Sequence, residues 1–309
     1  MKTAFVFSGQ GAQYIGMGKE LYEQEAIVRE TFSEASEVLG YDMAELCFTE
    51  NEQLDQTMYT QPAILTVSTA FNRLLKEKGF TPDIVAGLSL GEYSALVASE
   101  AISFKDAVAL VAKRGKFMTE AAPAGTGKMV AVMNADRELI EDSCKKASSL
   151  GIVSPANYNT PQQIVIGGEA AAVDQAVALL KEQGVKRMIP LNVSGPFHTA
   201  LLEPASEKLA QELQQIDFHE PKIPVISNTT AEIMPADDIK ELLTQQVMKA
   251  VRFADSIEKM KQLGVDRIIE VGPGKTLTGF IRKIDKEIST ARVEDSATLA
   301  EALTLLSEV

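Results

Sequence analysis

Several residue types on which whole classes of function depend are scarce in this sequence. Only two of its 309 residues are cysteine, Cys47 and Cys144, and neither has a Cys or His at metal-ligand spacing. That excludes a disulfide framework and a zinc cluster, and the two thiols read as reduced core residues. Positive charge is also in deficit. Thirty Lys and Arg against 43 Asp and Glu leave a net charge of −13, a surface that repels phosphate backbones and argues against nucleic-acid binding. No run approaches the roughly 20 apolar residues of a membrane span. The opening Met1-Lys2-Thr3-Ala4-Phe5-Val6-Phe7 is too short for the apolar region of a signal peptide, so a cytoplasmic protein without membrane attachment is expected. Neither a metal nor a cofactor is expected. What remains is ordinary globular composition, 45% apolar and 24% charged, in a chain long enough for one large domain or two.

Short apolar runs alternate with helical patterns. Thr3–Phe7 and Ile84–Leu88 read as buried strands, Ala63–Lys78 and Gly91–Ser99 as helices. Ser103-Phe104-Lys105-Asp106 resembles a capping box and opens a helix carrying Val108, Val111 and Arg114. Such alternation implies a mostly parallel sheet covered on both faces. The texture changes at Pro123-Ala124-Gly125-Thr126-Gly127. Beyond it the order is strand (Met129–Met133), helix (Glu138–Ser149), strand (Ile152–Asn157), strand (Gln163–Gly167), helix (Ala170–Gln183) and strand (Lys186–Leu191). That βαββαβ order is the ferredoxin-like unit. Residues 125–193 are therefore expected to form a small subdomain inserted into a large α/β domain of residues 1–124 and 194–309. Further strands are expected at Val225–Ser227 and Arg267–Val271.

Gly87-Leu88-Ser89-Leu90-Gly91 matches G-x-S-x-G with a buried strand before it and a helix after it. A serine on that turn projects from the carboxyl edge of the sheet, and close packing leaves room only for glycine two residues either side. The helix N-terminus beside it favours negative charge, with the Leu90 amide the natural donor to an oxyanion. Serine needs a general base, usually histidine. His219 sits in the polar stretch Asp217-Phe218-His219-Glu220-Pro221. His198 sits in Val193-Ser194-Gly195-Pro196-Phe197-His198-Thr199, where the chain leaves the small subdomain and can face a cleft, and it is the favoured base. No Asp is placed to complete a triad.

Two glycine-rich turns are near-misses. Gly9-Gln10-Gly11-Ala12-Gln13 follows a strand, but Tyr14 replaces the third glycine of a dinucleotide fingerprint; Gly272-Pro273-Gly274-Lys275-Thr276 resembles a phosphate loop, but Ile269 replaces its first glycine. Both argue against nicotinamide and nucleoside-triphosphate chemistry.

With these residues in hand, the chain resembles the malonyl-CoA:acyl-carrier-protein transacylases of fatty-acid synthesis nearly end to end. The markers are Gly9-Gln10-Gly11-Ala12-Gln13, Gln61-Pro62-Ala63, Gly87 to Ala95 with Gly91-Glu92-Tyr93-Ser94-Ala95, and Arg114-Gly115-x-x-Met118. Later come Asn157-x-Asn159-x-Pro161-x-Gln163, Phe197-His198 and Glu270-Val271-Gly272-Pro273-Gly274. The resemblance implies an α/β-hydrolase-like core with an inserted ferredoxin-like subdomain, and malonyl-CoA and a phosphopantetheine-bearing acyl carrier protein as partners. It implies that Ser89 is the nucleophile and His198 its base, with the Gln10 and Leu90 amides as oxyanion hole. It also implies that His198 is oriented by the main-chain carbonyl of Gln246, in Leu243-Thr244-Gln245-Gln246-Val247. Arg114 would hold the free malonyl carboxylate, which a planar guanidinium fork suits. Gln61, Met118 and Asn159 match pocket positions. Leu88 stands where many relatives carry His, and Ser8 where many carry Pro. Phe197 is the residue type that related malonyl-preferring acyltransferases place before the histidine. An acidic carrier protein would need local basic residues, for which Lys186-Arg187 and the set Lys275, Arg282, Lys283 and Lys286 are candidates. Rival readings are a polyketide-type acyltransferase, a Ser/His thioesterase or esterase, and a non-catalytic carrier-protein-binding module.

Overall fold

The computed structural model describes residues 1–309. Its eight strands are β1 (Thr3–Phe7), β2 (Ile84–Gly87), β3 (Lys128–Met133), β4 (Val153–Thr160), β5 (Gln163–Gly168), β6 (Arg187–Pro190), β7 (Arg267–Val271) and β8 (Ser289–Val293). Four of them form a wholly parallel sheet of order β2-β1-β7-β8. Every residue of β1 and β2 is buried, as a sheet covered on both faces requires. The two-residue period divides them between two cores. Phe5, Phe7, Val85, Ile269 and Val271 enter the larger core, beneath the helices Ala26–Leu39, Thr57–Glu77 and Phe104–Ala121. Ala4, Val6, Ile84, Ala86 and Ile268 enter the smaller one, under Phe253–Gln262 and Thr276–Ile284.

The other four strands form an antiparallel sheet of order β4-β5-β3-β6, with Arg137–Ala147 and Ala170–Glu182 packed on one face. The architecture is thus an α/β-hydrolase-like core plus a ferredoxin-like subdomain. Backbone bonds tie the two sheets' surroundings together: Val251 N–H donates to Ala156 at 2.9 Å, and Tyr158 N–H donates to Val251 at 2.9 Å. Beside them Arg137 grips Asp255 with both terminal nitrogens, at 2.9 and 3.1 Å. No helix is long and apolar enough to cross a membrane.

Two local expectations need correction, and one strand was not expected. Val225–Ser227 is not a full strand. Val225 makes one parallel bridge to Val85, and the chain turns away at Ser227 and Asn228. That bridge has two bonds, Val85 N–H to the Pro224 carbonyl and Ile226 N–H to the Val85 carbonyl, both at 3.0 Å, and Pro224 has no N–H with which to extend it. The helix expected from Ala63 begins at Thr57 and carries Pro62 in its second turn. The edge strand β8 went unforeseen because Ser289–Val293 is only partly buried and lacks a strong apolar run.

Candidate active site

The loop after β2 is built by close packing. A Cβ on Gly87 would overlap the Gly91 backbone, and one on Gly91 would overlap the Phe7 carbonyl at the end of β1. Neither residue can be anything but glycine without moving main chain. Between them Ser89 is held at φ 56°, in the left-handed region that a non-glycine residue adopts at a cost. The Ser8-Gly9-Gln10 turn is pressed on the same loop, since a Cβ on Gly9 would strike the Leu88 carbonyl. Two main-chain N–H groups, Gln10 and Leu90, donate to no protein acceptor. Leu90 precedes the helix Gly91–Ala98, so its amide lies at the positive end of that helix.

Ser89 Oγ lies 2.7 Å from His198 Nε2, and His198 Nδ1 lies 2.7 Å from the Gln246 carbonyl oxygen. A carbonyl can only accept, so Nδ1 carries the proton and Nε2 presents its lone pair to the serine hydroxyl. Burial, helped by the nearby Arg114 charge, pushes the His198 imidazole down to about 4, which keeps it neutral at physiological pH. Its own backbone is also at positive φ, 62°, and its N–H donates to Val247 at 3.1 Å. The last residue of the helix Ile239–Gln246 thus fixes the ring, and Val247 just beyond it fixes the backbone that carries the ring.

Arg114 is the largest fully buried side chain in the protein. Its Nη1 donates to Gln61 Oε1 at 2.8 Å, and its Nη2 donates to Gln246 Oε1 at 2.8 Å and to Ser89 Oγ at 3.3 Å. The Tyr93 ring lies 5.2 Å below the guanidinium. No carboxylate pairs with it, and its Nε has no partner. Glycine again permits the approach: a Cβ on Gly115 would stand 2.6 Å from the Thr57 carbonyl, where the two helices touch. Gln61 also donates to Met118 Sδ at 3.3 Å. A guanidinium with no carboxylate in ion-pair contact, beside a serine hydroxyl, is chemically suited to an acyl group that bears its own anion.

The whole chain was compared with known proteins. An acyl transferase domain model matches residues 4–302. The malonyl CoA-acyl carrier protein transacylase of Bacillus subtilis (strain 168) is 49% identical, over 99% of this chain and 98% of that protein. Among solved structures, MCAT from Streptococcus pneumoniae superposes with a TM-score of 0.97 at 60% identity, covering 98% of this chain and 100% of that one. A malonyl-transacylase in complex with its type II PKS acyl-carrier protein superposes with a TM-score of 0.95 at 44% identity, covering 99% and 100%. The chain belongs to the malonyl-CoA:acyl carrier protein transacylase family.

Within this transacylase fold, Ser89, His198, Arg114, Gln61, Met118 and Gln246 converge, and Gln10 and Leu90 flank the serine from two turns. The Gln10 side chain turns away, donating to Thr57 Oγ1 at 3.0 Å. Asn159 makes no hydrogen bond with any of them. It is buried on β4 and donates to Gln163 Oε1 at 3.0 Å, while its own Oδ1 has no partner. His219 is exposed. The turn after β7 cannot serve a phosphate because an internal anion occupies it. Glu270 accepts from Leu277 N–H at 3.2 Å and from Thr278 N–H at 2.9 Å, at the N-terminus of Thr276–Ile284. The basic candidates Lys186, Arg187, Lys275, Arg282, Lys283 and Lys286 are all exposed, and none is in an ion pair.

Sequence reasoning missed Asn228. This buried residue accepts from Ser89 N–H through Oδ1 at 2.8 Å and donates through Nδ2 to the Gly87 carbonyl at 2.5 Å. Its own N–H donates to Glu92 Oε2 at 2.6 Å, a carboxyl that burial raises to about 7. One amide side chain thus spans the strained turn. The available signal was an Asn where an expected strand ends, at Ser227-Asn228, but nothing local linked it to Ser89.

Proposed function

We propose that the protein transfers the malonyl group of malonyl-CoA to the phosphopantetheine thiol of an acyl carrier protein, through a malonyl ester on Ser89. The observation that carries this reading is the buried, carboxylate-free Arg114 within 3.3 Å of the Ser89 hydroxyl. His198 Nε2 takes the Ser89 proton as Oγ adds to the thioester carbonyl carbon. The tetrahedral oxyanion accepts from the Gln10 and Leu90 N–H groups, and one such donor is typically worth ~3 kcal/mol. As the C–S bond breaks, imidazolium returns the proton to the departing CoA sulfur. In the second half His198 takes the proton of the carrier thiol, whose sulfur attacks the ester, and Ser89 leaves with the proton restored. Arg114 holds the free carboxylate throughout. An acetyl group leaves that buried charge without an anion, which is the source of selectivity.

We place the enzyme in the cytoplasm, where two buried free thiols, Cys47 and Cys144, suit a reducing compartment. Intact-mass measurement after mixing with malonyl-CoA and acid quenching tests the chemistry. One malonyl adduct per chain, absent in Ser89→Ala, is expected. Release of CoA without an adduct would instead mark a hydrolase.

A further inference from the structure

The main-chain carbonyl of Gln246 faces His198, and its side chain is engaged separately. Oε1 accepts from Arg114 Nη2 at 2.8 Å, and Nε2 donates to the Ser89 carbonyl at 2.8 Å. The orientation of this amide is forced. Arginine can only donate and a carbonyl can only accept, so oxygen must face Arg114 and nitrogen must face Ser89. Nε2 also approaches Asn228 Oδ1 at 3.3 Å, the atom that accepts from Ser89 N–H. The side chain is almost wholly buried, 1% exposed, so no water substitutes for these bonds.

The Ser89 carbonyl belongs to the same peptide unit as the Leu90 N–H. That unit is planar and trans, so its C=O and N–H point in opposite directions. A donor fixed on the Ser89 oxygen therefore aims the Leu90 N–H to the opposite side, where no protein group accepts it. The only other donor to the Ser89 oxygen is Glu92 N–H at 3.0 Å, the opening bond of the following helix. One rigid side-chain amide thus joins the guanidinium to the peptide that carries an oxyanion donor.

Resting on the transacylase reading above, we propose that the Gln246 side chain is a positioning residue that couples carboxylate recognition at Arg114 to the aim of the Leu90 oxyanion donor. A substrate carboxylate fixes the guanidinium, the guanidinium fixes Gln246 Oε1, and Nε2 of the same plane fixes the Ser89–Leu90 peptide. A donor without a carboxylate leaves the guanidinium held by Gln61 and Gln246 alone, without the ionic anchor that the malonyl carboxylate adds.

The test is rapid-quench acylation of the full-length enzyme by malonyl-CoA and by acetyl-CoA, read by intact mass, in Gln246→Leu and Gln246→Glu. Both variants retain the main-chain carbonyl on His198. Gln246→Leu is expected to slow malonyl loading roughly 10- to 100-fold, a fraction of the loss caused by deleting an oxyanion donor, with one adduct per chain still reached. Acetyl loading falls less, so the malonyl preference drops about 10-fold. Equal falls for both donors, or wild-type rates for both, overturn the coupling. Should Gln246→Leu fail to fold by circular dichroism, Gln246→Glu decides. It keeps an acceptor for Arg114 but loses the donor to Ser89, so malonyl loading at the wild-type rate overturns the proposal. Failure of wild type to form a malonyl adduct would refute the underlying reading instead.

Discussion

Replacing Arg114 with methionine removes the charge while keeping most of the side chain's volume. The guanidinium is buried, hydrogen-bonded to Gln61 and Gln246, and free of any ion pair. A bound substrate carboxylate is then its direct ion-pair partner, at a side chain that is itself buried. Truncating one partner of a buried, hydrogen-bonded charge pair costs about 2–5 kcal/mol, equivalent to roughly 30- to 5,000-fold. The acetyl group makes no such pair, so its loading should change little. The expected result is a collapse of the malonyl-to-acetyl ratio by that factor, driven by the malonyl rate. Two amide oxygens, on Gln61 and Gln246, lose their donor, and each costs about 1–3 kcal/mol. Loss of an uncompensated buried charge offsets part of this. Thermal melting should therefore move far less than selectivity does. The assay is competitive loading from an equimolar mixture of malonyl-CoA and acetyl-CoA, with the two adducts resolved by mass. An unchanged ratio in a folded Arg114→Met would refute the argument that this charge reads the acyl group.

Other consequences can be checked separately. Because the folded His198 lies at about 4 against an ordinary 6.5, the loading rate should stay level on the acid side until pH approaches 4, and a limb centred near 6.5 would contradict this. The same depressed value means that His198 contributes stability present above pH 6.5 and lost as pH falls toward 4, roughly 3 kcal/mol in total, measurable by urea unfolding across that window. Gly115→Ala places a Cβ 2.6 Å from the Thr57 carbonyl and 2.8 Å from Met58 Cα, main-chain atoms that cannot yield singly. It should cost about 1–3 kcal/mol in denaturant melts, and equal stability would show that the two helices part freely. Reversing charge at Arg282 and Lys283, or at Lys186 and Arg187, should raise KM for the carrier protein several-fold while leaving loading from malonyl-CoA unchanged. An unaltered carrier KM in both pairs would remove them from the docking surface.

Much of this protein was legible one segment at a time. A buried run, a glycine-bounded serine and a helix in direct succession specify the turn at Gly87–Gly91, because backbone overlap admits no side chain at either glycine. The order βαββαβ specifies the antiparallel subdomain, because each element's apolar period is local to it. A chain with two histidines restricts the base to His198 or His219 before any coordinates are known. Tertiary structure alone decided which distant residues meet. Ser89 and His198 are 109 positions apart, and Ser89 and Gln246 are 157 apart. Arg114 sits beside Lys113 on a helix whose pattern equally suited a solvated face. It is interior because Gly115 lets that helix close on Thr57 and bring Gln61 within 2.8 Å. Asn228 and the Gln246 side chain carry no local mark of their roles. Their amides matter only because strand order and loop packing bring them to the Ser89 backbone, and periodicity along a chain holds no information about that juxtaposition.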